Sequence, residues 1–195
     1  MYDSYLSTFY NMLFHPVTAF RTLREDTPSN RMLVYALITV VLISGLGPLI
    51  YFVGHGGAIN RLFYEVPIQA LFGLILWMAS SIIISLLAFA FTGEPRIRLL
   101  LTLTAFATLP WIFEGPATLL QASAGTLGTV LGGIGSLAVW LWSVVLFGFA
   151  VGCTYRLSAE RTVIILFAPF MMGLIFISWF TGFVINIMRI WPGTH

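Results

Sequence analysis

VPIQALFGLILWMASSIIISLLAFAFT, residues 66–92, carries no charged side chain and is bounded by Glu65 and Glu94. About 20 mostly apolar residues cross the ~30 Å hydrocarbon layer of a bilayer, so this stretch reads as a transmembrane helix with room for tilt. Working outward, charge-free runs at 33–53, 129–153 and 162–188 have the same character, each closed by arginines. A fifth run, 99–122, holds one internal carboxylate, Glu114. The expected fold class is therefore all-α: a polytopic membrane helical bundle of five transmembrane helices, preceded by short amphipathic interfacial helices. The implied organisation is a cytoplasmic amphipathic segment at 1–31, a five-span membrane domain at 32–190 and a short tail at 191–195.

Composition agrees. Of 195 residues, 59% are hydrophobic and 8% charged, whereas a soluble domain is about 25% charged. That excludes a cytosolic enzyme, a nucleic-acid-binding module and a disordered chain. The single cysteine, Cys153, rules out an internal disulfide framework, and the histidines, His15, His55 and His195, are far apart in sequence. No metal and no cofactor is expected. The first 30 residues show no signal-peptide core, so insertion is expected to use an internal span.

Direction follows from the arginines, since the chain has no lysine. With five spans, Arg21, Arg24, Arg31, Arg96, Arg98, Arg156 and Arg161 share one side, and Arg61 and Arg189 the other. The positive-inside rule then places the N-terminus in the cytoplasm and the C-terminus on the opposite, trans side. The seven cytoplasmic guanidinium groups are candidate contacts for anionic lipid headgroups; a topology signal paired with Glu25, Asp26, Glu94 and Glu160 explains most of the same pattern.

Within the N-terminal segment, Leu6, Phe9, Leu13, Val17 and Phe20 recur at helical spacing, Tyr5, Tyr10, Phe14 and Leu23 broaden the apolar face, and Pro16 divides the stretch. Two short helices are expected, about 4–14 and 16–25, their apolar face either in the membrane interface or packed under the bundle. The boundary between spans three and four is soft, resting on Gln121, Ser123, Gly125, Thr126 and Gly128. A re-entrant third segment broken at Pro110 and Pro116 is the competing reading.

Several stretches carry a family resemblance: Phe14-His15-Pro16-Val17-Thr18-Ala19-Phe20, then Thr104-Ala105-Phe106-Ala107-Thr108-Leu109-Pro110, and Trp140 through Phe149 to Arg156-Leu157-Ser158-Ala159-Glu160-Arg161, followed by Pro169. The layout resembles the Yip-domain family, small five-span proteins known as interactors of Ypt/Rab GTPases, with many bacterial members. The resemblance implies an integral membrane protein that organises membrane or partner proteins, without enzymatic activity. It also implies a compact prokaryotic form in an inner or internal membrane. The Asp-x-x-Gly-Pro-type motif of eukaryotic members is missing before the first span. Only Gly45-Leu46-Gly47-Pro48 is vaguely similar, and it lies inside that span, so the GTPase-binding role does not carry over.

Glu114 is the one acid deep in a span, and such a group is a functional candidate by default because burying it is expensive. Pro110 and Pro116 flank it. Candidate partners on the trans side are Arg61 and Arg189, with Glu65, Gln69 and Asn186 able to join it in a polar vestibule. Two readings follow: a structural pair, or an ion, solute or lipid pathway. Small residues (Ser81 and Ser85; Gly128 and Gly132; Gly148 and Gly152) suit close helix packing. Expected partners are the lipid bilayer and no nucleic acid; a homo-oligomer or larger membrane complex stays open.

Overall fold

The computed structural model describes residues 5–25, 29–55, 59–123, 125–168, 171, 175, 178–179 and 181; for Glu25, Tyr51, Gly54, His55, Arg61 and Ser123 it describes the backbone alone. Helices make up nearly all of this, and no strand occurs among the described residues. The order is α1 (Tyr5–Phe14), α2 (Pro16–Glu25), α3 (Asn30–His55), α4 (Ile59–Thr92), α5 (Ile97–Phe106), a 3-10 helix (Leu109–Phe113), α6 (Glu114–Ser123) and α7 (Gly125–Tyr155). A further helix covers 159–168.

Four segments are long and apolar enough to cross a membrane: Asn30–Ile50, Leu62–Thr92, Ile97–Ala122 and Gly125–Tyr155. Most of the fifth expected span, 162–188, lies outside the described residues.

Local chemistry sets the helix ends. Ser29 caps α3, its hydroxyl accepting from the Met32 amide at 3.4 Å. Gly93 ends α4 in the left-handed region (φ 70°), where glycine carries no steric penalty. Glu94 and Arg96 then pair across the short loop into α5. α7 ends on the same left-handed geometry, but the residue there is Arg156 (φ 53°), and the Leu157 amide closes the cap on the Gly152 carbonyl at 3.2 Å. A non-glycine residue in this conformation costs about 1–2 kcal/mol, so a cation is held at this end of α7 against backbone preference.

α1 and α2 dock on the bundle. Met12, Leu13, Ala19, Phe20 and Leu23 are buried in one cluster with Leu99, Leu103, Phe106, Leu109 and Ala150. The Tyr5 hydroxyl meets Thr39 Oγ1 at 3.1 Å, nine residues into α3 and so about 14 Å along it at ~1.5 Å per residue. The expected stripe is only partly the buried face. Leu13 and Phe20 are buried, whereas Leu6 is 75% exposed and Val17 38%. Helical spacing does not carry across His15–Pro16, because Pro16 has no N–H to continue α1; α2 starts a new phase, opened by the Ala19 amide bonding to the His15 carbonyl. Leu6, Tyr10 and Phe14, one turn apart, form an outward apolar face.

The third segment is broken yet keeps its direction along the bundle. Thr108 N–H bonds to Ala105 O, and the chain tightens into the 3-10 helix at Leu109–Phe113 with Pro110 buried in it. Register shows the direction. At one end Arg96 Nη1 donates to the Thr154 carbonyl, and at the other Ser136 Oγ donates to Glu114 Oε1. Eighteen residues forward from Arg96 to Glu114 thus match eighteen back along α7 from Thr154 to Ser136. Against α3, Ala105 clusters with Val40 and Gly115 abuts Ile50, ten residues further on both chains. The segment therefore runs straight through the break, antiparallel to α7 and parallel to α3, which sets the re-entrant reading aside. Pro116 falls in the first turn of α6, where its missing N–H breaks nothing.

Candidate functional site

α3, α4, the broken third segment and α7 line a half-open cavity of about 870 Å³ among the described residues. Glu114 opens α6 and stands half-buried in its wall. Its placement is built by close helix approach. Gly132 lets α7 lie on α6 so tightly that an added Cβ would stand 2.5 Å from the Ala117 carbonyl oxygen. One turn on, Ser136 Oγ donates to Glu114 Oε1 at 2.7 Å, and Gln121 Nε2 donates to Ser136 Oγ at 3.2 Å. The donors point one way, from Gln121 to Ser136 and from Ser136 to Glu114 Oε1, so the carboxyl oxygen is the acceptor at the end of the chain.

Other polar groups on the wall behave alike. The hydroxyls of Ser80, Thr108, Thr118 and Thr129 donate to backbone carbonyls of their own segments, Trp77, Ala105, Glu114 and Gly125 respectively, at 2.6–3.0 Å. Each hydroxyl has one proton, so what remains for the cavity is lone pairs. Trp77, Trp111 and Phe147 add aromatic wall.

Of the residues singled out in the sequence, Glu114 is brought to this cavity, with Pro110 and Pro116 shaping its segment. Glu65 and Gln69, exposed on α4, line a neighbouring pocket of about 330 Å³ that shares Ser44 and Gly47 with the larger one. Asn186 and Arg189 lie outside the described residues, and so does the Arg61 side chain. Among the described residues Glu114 has no ion-pair partner, and no cluster of His, Cys, Asp or Glu could hold a metal. Sequence reasoning missed Ser136, because a lone serine inside a span is common and only the register with α6 gives it a role.

Of the seven arginines assigned to one side, Arg96 is engaged: Nε donates to Glu94 Oε2 at 2.8 Å and Nη1 to the Thr154 carbonyl at 3.4 Å. Arg21, Arg31, Arg98, Arg156 and Arg161 are exposed and Arg24 half-buried. Cys153 is half-buried with a free thiol.

Starting at Trp77 in the cavity wall, a polar seam ties α4 to its neighbours. Trp77 Nε1 donates to Thr104 Oγ1 at 3.1 Å, Ser81 Oγ meets the same hydroxyl at 3.1 Å, and Ser85 Oγ meets the Tyr155 hydroxyl at 2.8 Å. The small residues expected to pack thus also supply interhelical hydrogen bonds. Gly148 and Gly152 face Leu166 and Thr162, so these glycine contacts are made within the chain.

A family model described as the Yip1 domain matches residues 10–180. No curated protein and no solved structure gives a match.

Proposed function

The chain belongs to the Yip1 domain family of integral membrane proteins, and from that premise we propose that it is a non-enzymatic scaffold that organises membrane or partner proteins. Its N-terminus is cytoplasmic, its C-terminus lies on the trans side, and its membrane is a prokaryotic inner or internal one. The observation that carries the scaffold role is the docked N-terminal helix pair: its inner face is spent on the bundle, while Leu6, Tyr10 and Phe14 stay outward. Five of the arginines on the same side are exposed, which suits anionic headgroups at that face.

Photo-crosslinkers placed at Leu6, Tyr10 and Phe14 in native membranes test the role. A discrete protein adduct at these positions, missing at lipid-facing Ile75 and Ile82 of α4, is the expected result. Identical lipid adducts at every position would reduce the outward face to a membrane anchor and remove the partner-organising role.

A second reading, a small ion, solute or lipid transporter or channel, is favoured by the cavity around Glu114. It requires that Glu114→Gln abolish pH-dependent flux in liposomes while the fold survives. Flux unchanged in this variant would end that reading.

A further inference from the structure

We propose that the cavity around Glu114 binds the ammonium head of an amphiphile, with the apolar body of the same molecule held against the aromatic and aliphatic wall. Three observations converge on this chemistry. The cavity, about 870 Å³, lies in the upper part of the ~300–1,000 Å³ range of small-molecule sites. Its one charge is a carboxylate that receives a hydrogen bond from a neutral serine and has no cation beside it among the described residues. A cation placed beside a carboxyl group favours its charged form, so an ammonium ligand supplies the counter-charge that the described residues do not.

The third observation concerns donors and acceptors. Ser80, Thr108, Thr118 and Thr129 have spent their protons on backbone carbonyls, and Ser136 has spent its proton on Glu114. The indole N–H of Trp77 is likewise engaged, by Thr104. The hydroxyls of Ser80, Thr108, Thr118 and Thr129 therefore offer the cavity lone pairs, while Ser44, Trp111 and Gln121 on the same wall keep donors. An ammonium group brings three donors and no acceptor, which complements these hydroxyl lone pairs and the Glu114 carboxyl, whereas a phosphate or carboxylate would set a second acid group against Glu114. Trp77 and Trp111, both in the wall, are of the residue type that best attracts cations. The inference goes beyond the scaffold role and does not require transport: binding alone satisfies it.

Two sources could supply such a head, a phospholipid with a primary ammonium or a free alkylamine. Full-length protein purified in detergent is incubated with phosphatidylethanolamine or with phosphatidylglycerol of the same acyl chains, and retained lipid is counted by native mass spectrometry. Dodecylamine and dodecanol serve as competitors. Expected is at least tenfold greater retention of phosphatidylethanolamine, displaced by dodecylamine and not by dodecanol. Glu114→Gln should drop retention to the phosphatidylglycerol level.

Gly47→Leu supplies a second variant that keeps the carboxylate. Gly47 lines the cavity, and an added Cβ there meets no atom within 4 Å, so leucine fills the site without a clash at its root. This variant should melt like wild type and retain neither ligand. If dodecylamine binds in a Glu114-dependent way while phosphatidylethanolamine does not, the ammonium site stands and its ligand is a free amine. Equal retention of the two lipids by wild type overturns the proposal. So does retention undiminished in Glu114→Gln or in Gly47→Leu. The crosslinking result at the N-terminal face is independent of all these readouts.

Discussion

Gly132→Val is expected to lower stability by about 3 kcal/mol or more, at the upper end of overpacking penalties, with a matching drop in melting midpoint in detergent. The reason is what an added Cβ would meet: the Ala117 carbonyl oxygen at 2.5 Å, the Gln121 amide nitrogen at 3.1 Å, and Gln121 Cγ closer still. A side chain can swing away. Two backbone atoms of a neighbouring helix cannot, so α6 must move off α7. No single truncation on α6 should rescue the variant, because Ala117→Gly leaves the carbonyl where it was. Displacing α6 also pulls Glu114 from Ser136, so retention of ammonium-headed ligands should fall together with stability. A Gly132→Val protein that melts with wild type would mean that the α6–α7 approach is looser than the geometry requires.

The contrast with Gly133 shows which part of this was legible in the sequence. Both glycines lie in the same apolar run, and the pairing of Gly128 with Gly132 at four-residue spacing marks a packing face; beside Gly133 an added Cβ meets nothing within 4 Å. The spacing reveals that a face exists, since side chains four apart on a helix share a side. It does not say what the face meets. The same limit holds at Glu114. Its isolation in an apolar run is visible in the sequence, because charge in a span is rare and costly. Its hydrogen-bond partner, Ser136, lies 22 residues away on another helix, and nothing in the sequence ranks that serine above Ser143 or Ser80.

All-helical membrane architecture was legible because hydropathy acts along the chain, and each apolar run closes its backbone hydrogen bonds within itself. The N-terminal stripe was misread in part for a physical reason. Val17 follows the restart at Pro16 and turns outward, and Leu6 in the first turn of α1 is exposed, while Leu13, Phe20 and Leu23 of the expected apolar face are buried with Met12 and Ala19. Pro110 announced a break in the third segment but not its consequence. A proline can reverse a chain or merely tighten it, and only matched steps along α3 and α7 show that this one tightens.

Gly73→Ala is the second large effect, and here a rescue exists. At this crossing of α3 and α4 the new Cβ would overlap Ser44 Oγ and stand 2.6 Å from Ser44 Cβ, while Ser44 Cα stays at 3.9 Å. Alanine at 73 should therefore cost about 1–3 kcal/mol. Ser44→Ala should not relieve it, since the offending Cβ remains. Ser44→Gly removes that atom, at about 1 kcal/mol for a glycine inside a helix, and should recover most of the loss in the double variant. A double-mutant cycle over positions 44 and 73 should thus show a strongly favourable coupling, near zero when Ser44→Ala replaces Ser44→Gly. The exchange moves one small side chain from α3 to α4 across the same gap, and both residues line the Glu114 cavity. Its volume should change little, and the double variant should still retain an ammonium-headed ligand. Additive effects of Ser44→Gly and Gly73→Ala would show that the two helices do not meet at these residues, and the α3–α4 wall of the cavity would have to be redrawn.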